Sequence, residues 1–203
     1  MAKFIFMSFT FNMGSNISFT HNIRPLYSAD FHRITAGFGK KNFVDYPWTM
    51  AESVVGDNLY TTRVCDCTAC LITDGEKAML LHLCPSNKSN LKFNDLLSFI
   101  SKNIDIMAKD KVQALMLGSK DTVASKNLWN NFSTIFKIFE IPVTTLRNGK
   151  WGTNLAYRQS TDEVLISSYP MDLQIRKGKS SGMELLNSHF KDVSISEYDE
   201  VVI

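Results

Sequence analysis

Residues 60–84 read YTTRVCDCTACLITDGEKAMLLHLC. Two apolar runs flank Asp74-Gly75, and an Asp-Gly step between such runs is the strongest short signal for a β-hairpin. With Asp74 and Gly75 as the two central residues of a tight turn, Thr73 pairs with Glu76. Walking outward, Cys67 falls opposite His82 and Cys65 opposite Cys84. Side chains alternate along a strand, so Cys65, Cys67, His82 and Cys84 share one face and Cys70 points to the other. Directly opposed residues have Cβ atoms about 5 Å apart.

Downstream, Leu96, Leu97, Phe99, Ile100, Ile104 and Met107 recur at helical spacing within 92–109, with Asn90 or Asn94 as candidate caps. Val112–Leu117 reads as a short buried strand closed by Gly118. Over 125–140, Leu128, Phe132, Ile135, Phe136 and Phe139 line one helical face until Pro142. Val143–Leu146, Asn154–Gln159 and Val164–Tyr169 read as three further strands, with Asn148-Gly149 and Thr161-Asp162 as turns. Upstream, 1–57 reads as short strands and loops, the stretch Phe31–Phe38 included. Met7, Phe9 and Phe11 alternate with Ser8, Thr10 and Asn12, which predicts a strand and not a cleaved signal. After Pro170, one helix is predicted over Met183–Phe190.

This order predicts an α/β (α+β) layered single domain: mixed, largely antiparallel sheets, two main helices and a β-hairpin that carries the chemistry. A core over 58–170 is expected between an N-terminal extension, 1–57, packed on it, and a C-terminal extension, 171–203.

The chain has 203 residues, 44% of them hydrophobic, enough to bury a core. Its net charge is +2, from 22 basic and 20 acidic residues, so neither a nucleic-acid nor a membrane-surface partner is expected. No run of 18 apolar residues reads as a transmembrane helix.

The four cysteines, Cys65, Cys67, Cys70 and Cys84, cluster in 20 residues. A disulfide framework in a chain of this size spreads its cysteines, so free thiols in a reducing compartment are the starting reading. Several readings then stand side by side. Cys67 and His82 form a nucleophilic dyad, the imidazole drawing the proton from the thiol. Cys65, Cys67, His82 and Cys84 form a zinc set, although zinc sites favour C-x₂-C spacing. Cys65 and Cys84 form a cross-strand disulfide. Finally, the cysteines are small buried hydrophobes.

The segment Thr61-Thr62-Arg63-Val64-Cys65-Asp66-Cys67-Thr68-Ala69-Cys70, followed by His82, resembles the active-site hairpin of the CheD-type chemoreceptor glutamine deamidases. It is similar also to the catalytic domain of the cytotoxic necrotizing factors. Those proteins hold a cysteine–histidine dyad on neighbouring strands, and several have a threonine six residues before the cysteine. Thr61 lies six before Cys67 and His82 fifteen after it, and Cys67-Thr68 looks like the start of the toxin motif. The resemblance spans roughly 58–168. Gly-Ser or Ser-Gly precedes the family's cysteine, whereas this chain has Cys65-Asp66, and the glycine-rich segment of CheD is reduced to Gly118-Ser119. Taking Cys65 as nucleophile instead loses the threonine match.

The resemblance implies a thiol hydrolase that deamidates a glutamine on another protein, with Cys67 as nucleophile, His82 as acid and base, Thr61 orienting the imidazole, and no metal or cofactor. It implies a bacterial effector or toxin, held in the bacterial cytoplasm before export to the host cytoplasm and acting as a monomer. A chemotaxis enzyme and a zinc-binding or interaction module are the competing expectations. His21, His32 and His189 are isolated and read as surface or structural residues. Trp151 reads as a loop anchor, and Arg176-Lys177-Gly178-Lys179 as a solvated loop.

Overall fold

The computed structural model describes residues 21–44, 52–56, 58–85, 93–118, 122–147 and 152–168. The expected strand at Met7–Phe11, the helix at Met183–Phe190, Trp151, His189 and the 176–179 stretch lie outside the described residues.

In chain order the elements are β1 (Asn22–Pro25), α1 (Ser28–Ala36), β2 (Glu52–Gly56), β3 (Asn58–Val64), β4 (Thr68–Thr73), β5 (Ala78–Leu83), α2 (Phe93–Ile104), β6 (Gln113–Gly118), α3 (Val123–Ile138), β7 (Val143–Arg147), β8 (Thr153–Arg158) and β9 (Glu163–Ser168). They form two sheets, in the orders β1-β9-β8-β3 and β2-β5-β4-β6-β7. Pairing is antiparallel except for β1 with β9 and β6 with β7. The expected mixed, largely antiparallel α/β domain is the fold observed.

The sheets pack face to face. Leu59, Val64, Leu155, Tyr157, Val164 and Ile166 of the first meet Ala69, Leu71, Leu80, Leu115, Leu117 and Leu146 of the second in one buried cluster. The outer face of the second sheet carries Cys70, Ile72, Met79, Leu81 and Met116 under Leu96 and Ile100 of α2 and Phe132 and Phe136 of α3. Thus β4 and β5 are buried on both faces. That is why they read as unbroken apolar runs and not as an alternation. Phe31 of α1 covers Ala156 and Leu165 on the outer face of the first sheet.

Three expectations are corrected. The stretch at Phe31–Phe38 is largely helical, as α1. Its buried face holds only Phe31 and Thr35, and no side chain caps its start, so both usual helix signals are weak. Asn94 lies inside α2 and does not cap it. Finally, the strand walked outward from the turn does not run straight through 65–67. The preceding strand, β3, shifts register with β8 between Thr61 and Val64, where Arg63 adopts φ 59°. The chain then bends through 65–67 and crosses into the other sheet as β4.

The hairpin turn is also wider than two residues. Thr73 pairs with Ala78, so Asp74–Lys77 form a four-residue loop. The Asp74 carboxylate accepts the N–H groups of Glu76 at 2.9 Å, Lys77 at 2.6 Å and Ala108 at 2.8 Å. The Thr73 hydroxyl accepts that of Gly75 at 3.0 Å. Burial alone would raise the Asp74 pKa, but the donors from Lys77, Ala108 and Glu76 outweigh it and hold the carboxyl below its usual 3.8. Because the folded value is depressed, Asp74 stabilises the fold above pH ~4 and loses that contribution as the pH falls through the folded value. Asp74→Asn is expected to cost about 1–2 kcal/mol in urea unfolding at pH 7. The gap to wild type should narrow in acid; an equal gap at pH 7 and pH 3 would contradict the role of the charge.

Candidate active site

The wider turn moves the hairpin register by two residues. His82 stands opposite Ala69, and the last ladder pair is Thr68 with Leu83. The expected pairs Cys67–His82 and Cys65–Cys84 are therefore not formed. A shift of two preserves the faces. Cys67, with Ala69, still points into the space between the sheets, and His82 does so too, because its ring meets a side chain of the opposite sheet. Cys67 lies in the bend just ahead of β4, one position beyond the last ladder pair, and faces the same space as His82 without standing opposite it.

The opposite sheet supplies Thr61. Its hydroxyl donates to the carbonyl of buried Val44 at 2.7 Å. With that proton committed, the 2.7 Å contact between Thr61 Oγ1 and His82 Nδ1 is a bond donated by Nδ1–H. The imidazole is fixed as the tautomer whose Nε2 carries the basic lone pair. Thr61 is fully buried and His82 2% exposed. Thr61→Val keeps the shape but strands the Val44 carbonyl and the Nδ1 proton. It is expected to cost about 1–3 kcal/mol of stability. Nitrogen-15 chemical shifts of His82 should report the Nδ1–H tautomer in the wild type and a mixture in the variant. A wild-type ring protonated at Nε2 alone would overturn the assignment.

Cys67 is 8% exposed. Burial, followed by neighbouring Cys84, Cys65 and Asp66, pushes its thiol up to about 12. At rest it is a neutral thiol, and such a thiol acts as a nucleophile only with a base to receive its proton. Cys70 lies on the other face, fully buried under the helices, its thiol also raised by burial. All four cysteines are free. Among the described residues no three His, Cys, Asp or Glu side chains are disposed to hold one metal ion, Cys65, Cys67, His82 and Cys84 included.

The backbone around Cys67 is held by residues the sequence reading missed. Ser125, buried in the first turn of α3, donates its hydroxyl to the Asp66 carbonyl at 3.2 Å. The Ser125 N–H is capped by Thr122 Oγ1 at 3.1 Å. The Asp66 carbonyl belongs to the peptide that carries the Cys67 N–H, so Ser125 sets the direction of that donor. Gly118, at φ 130°, lies directly against the Cys67 carbonyl: a Cβ there would come within 2.2 Å of it. The T-x-x-S spacing at 122–125 is a legible cap signal, but nothing local shows that this helix start rests on the 65–67 bend.

His21 is remote from this site. It bonds to Asp162 at 2.5 Å and packs edge-on to Tyr157, whose hydroxyl also donates to Asp162. No helix among the described residues is long and apolar enough to cross a membrane. No protein-family model and no curated protein sequence matches the chain.

Proposed function

We propose that this chain is a cysteine-dependent protein glutamine deamidase in which Cys67 is the nucleophile, His82 the proton carrier and Thr61 the group that orients it. The observation that carries the reading is the relay Val44 carbonyl, Thr61 hydroxyl, His82 Nδ1–H. It presents a basic Nε2 on a ring that faces the inter-sheet space, the space the Cys67 thiol also faces from the bend ahead of β4. A general base needs its reacting nitrogen unprotonated at rest, and a ring that donates from Nδ1 meets that requirement at Nε2.

In the proposed reaction Nε2 takes the thiol proton as sulfur attacks the amide carbon of a glutamine side chain. The Cys67 N–H, aimed by Ser125, is the candidate donor to the oxyanion. Collapse of the tetrahedral intermediate expels ammonia, protonated by the imidazolium, and leaves a thioester. His82 then activates water, which releases glutamate and restores the thiol. With an amine in place of water the same thioester gives transglutamination. Burial of Cys67 suppresses adventitious chemistry until substrate arrives.

The substrate is proposed to be a protein with a reactive glutamine, and the setting a bacterial effector delivered to a host cell; resemblance of the 61–82 segment supports both. The test is intact mass of candidate protein partners after incubation with the enzyme. A gain of about 1 Da at one glutamine, with one ammonia released per event, is expected. Thiol-independent gain, or none on any partner that binds, would reject the reading.

A further inference from the structure

The register that separates Cys67 from direct opposition to His82 brings a different residue near it. The β4–β5 ladder ends at Thr68 with Leu83, and Cys67 and Cys84 are the residues next to that last pair, one just before β4 and the other just after β5. Ladder partners hold Cα atoms about 4.5–5.5 Å apart, inside the roughly 4.4–6.8 Å range of disulfides, so the pair flanking the ladder's end starts from a compatible spacing. The two side chains share a hydrogen bond, and Cys84 packs on the cluster that contains Cys67. Cys65 is the competitor, but its sulfur is tucked against Gly152, where a Cβ would lie 2.7 Å from it. We infer that Cys67 and Cys84 form a redox-modification site that closes to an intrachain disulfide on exposure to hydrogen peroxide.

Exposure decides the order of events. Cys84 is half-buried, whereas Cys67 is buried. The Cys84 thiolate attacks one peroxide oxygen, breaking the O–O bond; a sulfenic acid forms at Cys84 and the other oxygen leaves as water after taking a proton. The Cys67 sulfur then attacks the Cys84 sulfur, forming the S–S bond and releasing the sulfenic hydroxyl as a second water with the Cys67 proton. Two thiols and one peroxide thus become one disulfide and two waters. Reduction by a dithiol reverses it. The pairing stands on the thiols themselves; only its consequence, loss of the nucleophile, rests on the deamidase reading.

The test treats the native full chain with hydrogen peroxide, blocks remaining thiols in denaturant and maps tryptic peptides. The expected product is a loss of about 2 Da, with 64–77 joined to 78–88 and fragment ions placing the link at Cys67. Cys65→Ser should form it at the wild-type rate, and Cys67→Ser should lower cross-linking about tenfold or more. A link through Cys65, undiminished cross-linking in Cys67→Ser, or Cys84 carrying only its own oxidation products would overturn the inference. If the link forms but reduced and oxidised wild-type chain are equally inert on every substrate, the pairing stands and the deamidase reading fails.

Discussion

Cys67→Ala is expected to remove amide release entirely, by roughly a thousandfold or more, while the far-ultraviolet circular dichroism and the melting temperature stay near wild type. The sulfur makes the covalent bond in the proposed reaction, so nothing else in the site replaces it. His82→Ala should cost nearly as much, because a thiol raised to about 12 cannot ionise on its own at neutral pH. Cys65→Ser should retain activity within a few-fold, which separates the two candidate nucleophiles. Full ammonia release by Cys67→Ala would end the proposal, and loss in Cys65→Ser alone would transfer it. The raised thiol also has a pH signature. Its folded value lies above the ordinary 9.0, so Cys67 favours the folded state below pH 9 and that contribution is lost as the pH rises towards 12. Alkylation of Cys67 by iodoacetamide should accordingly lag behind Cys84 at pH 7 and accelerate with pH. Faster labelling of Cys67 than of Cys84 at pH 7 would contradict the buried neutral thiol.

The second large effect concerns stability. Gly118→Ala would place a Cβ 2.2 Å from the Cys67 carbonyl and 3.0 Å from Thr68 Cα, at φ 130°. Both obstacles are backbone, so no side chain can swing away. Either β6 parts from β4 at their last pair, Thr68 with Gly118, or the 65–67 bend is displaced. A loss of about 3–5 kcal/mol is expected, which is a fall of roughly 10 °C or more in melting temperature. Gly75→Ala is the control. Its φ is 90°, but a Cβ there meets nothing within 4 Å, so only the conformational cost of about 1–2 kcal/mol applies. Equal losses at the two positions would show that the close approach to Cys67 is not the cause. Any Gly118→Ala protein that does fold should turn over poorly, since the displaced segment carries the proposed nucleophile.

Much of this architecture was legible locally. The faces of α2 and α3 follow from apolar spacing, and the strands after Pro142 from turn residues and β-branched runs. The helix α1 escaped because Phe31 is its one fully buried apolar side chain, with Ile34 only partly buried beside it. At the site, the contact of Thr61 with His82 that the family resemblance implied is present as a bond, although the hairpin register says nothing of Thr61. Ser125 and Gly118 escaped because their contacts with Asp66 and Cys67 span 59 residues in one case and join neighbouring strands in the other. No periodicity or spacing encodes such a contact.

By itself the chain's residue order determined which side chains face the same way: alternation is a property of each strand alone, so Cys67 and His82 stay on one side whether the turn has two residues or four. Only the folded molecule decided which residue each of them meets. The Asp74 carboxylate gathers three backbone donors and widens the turn, a choice made partly by Ala108 from a distant loop. The bend at 65–67 sends β3 and β4 into different sheets. Thr61 therefore reaches His82 across the interface between two layers, a contact set by packing and not by distance along the chain.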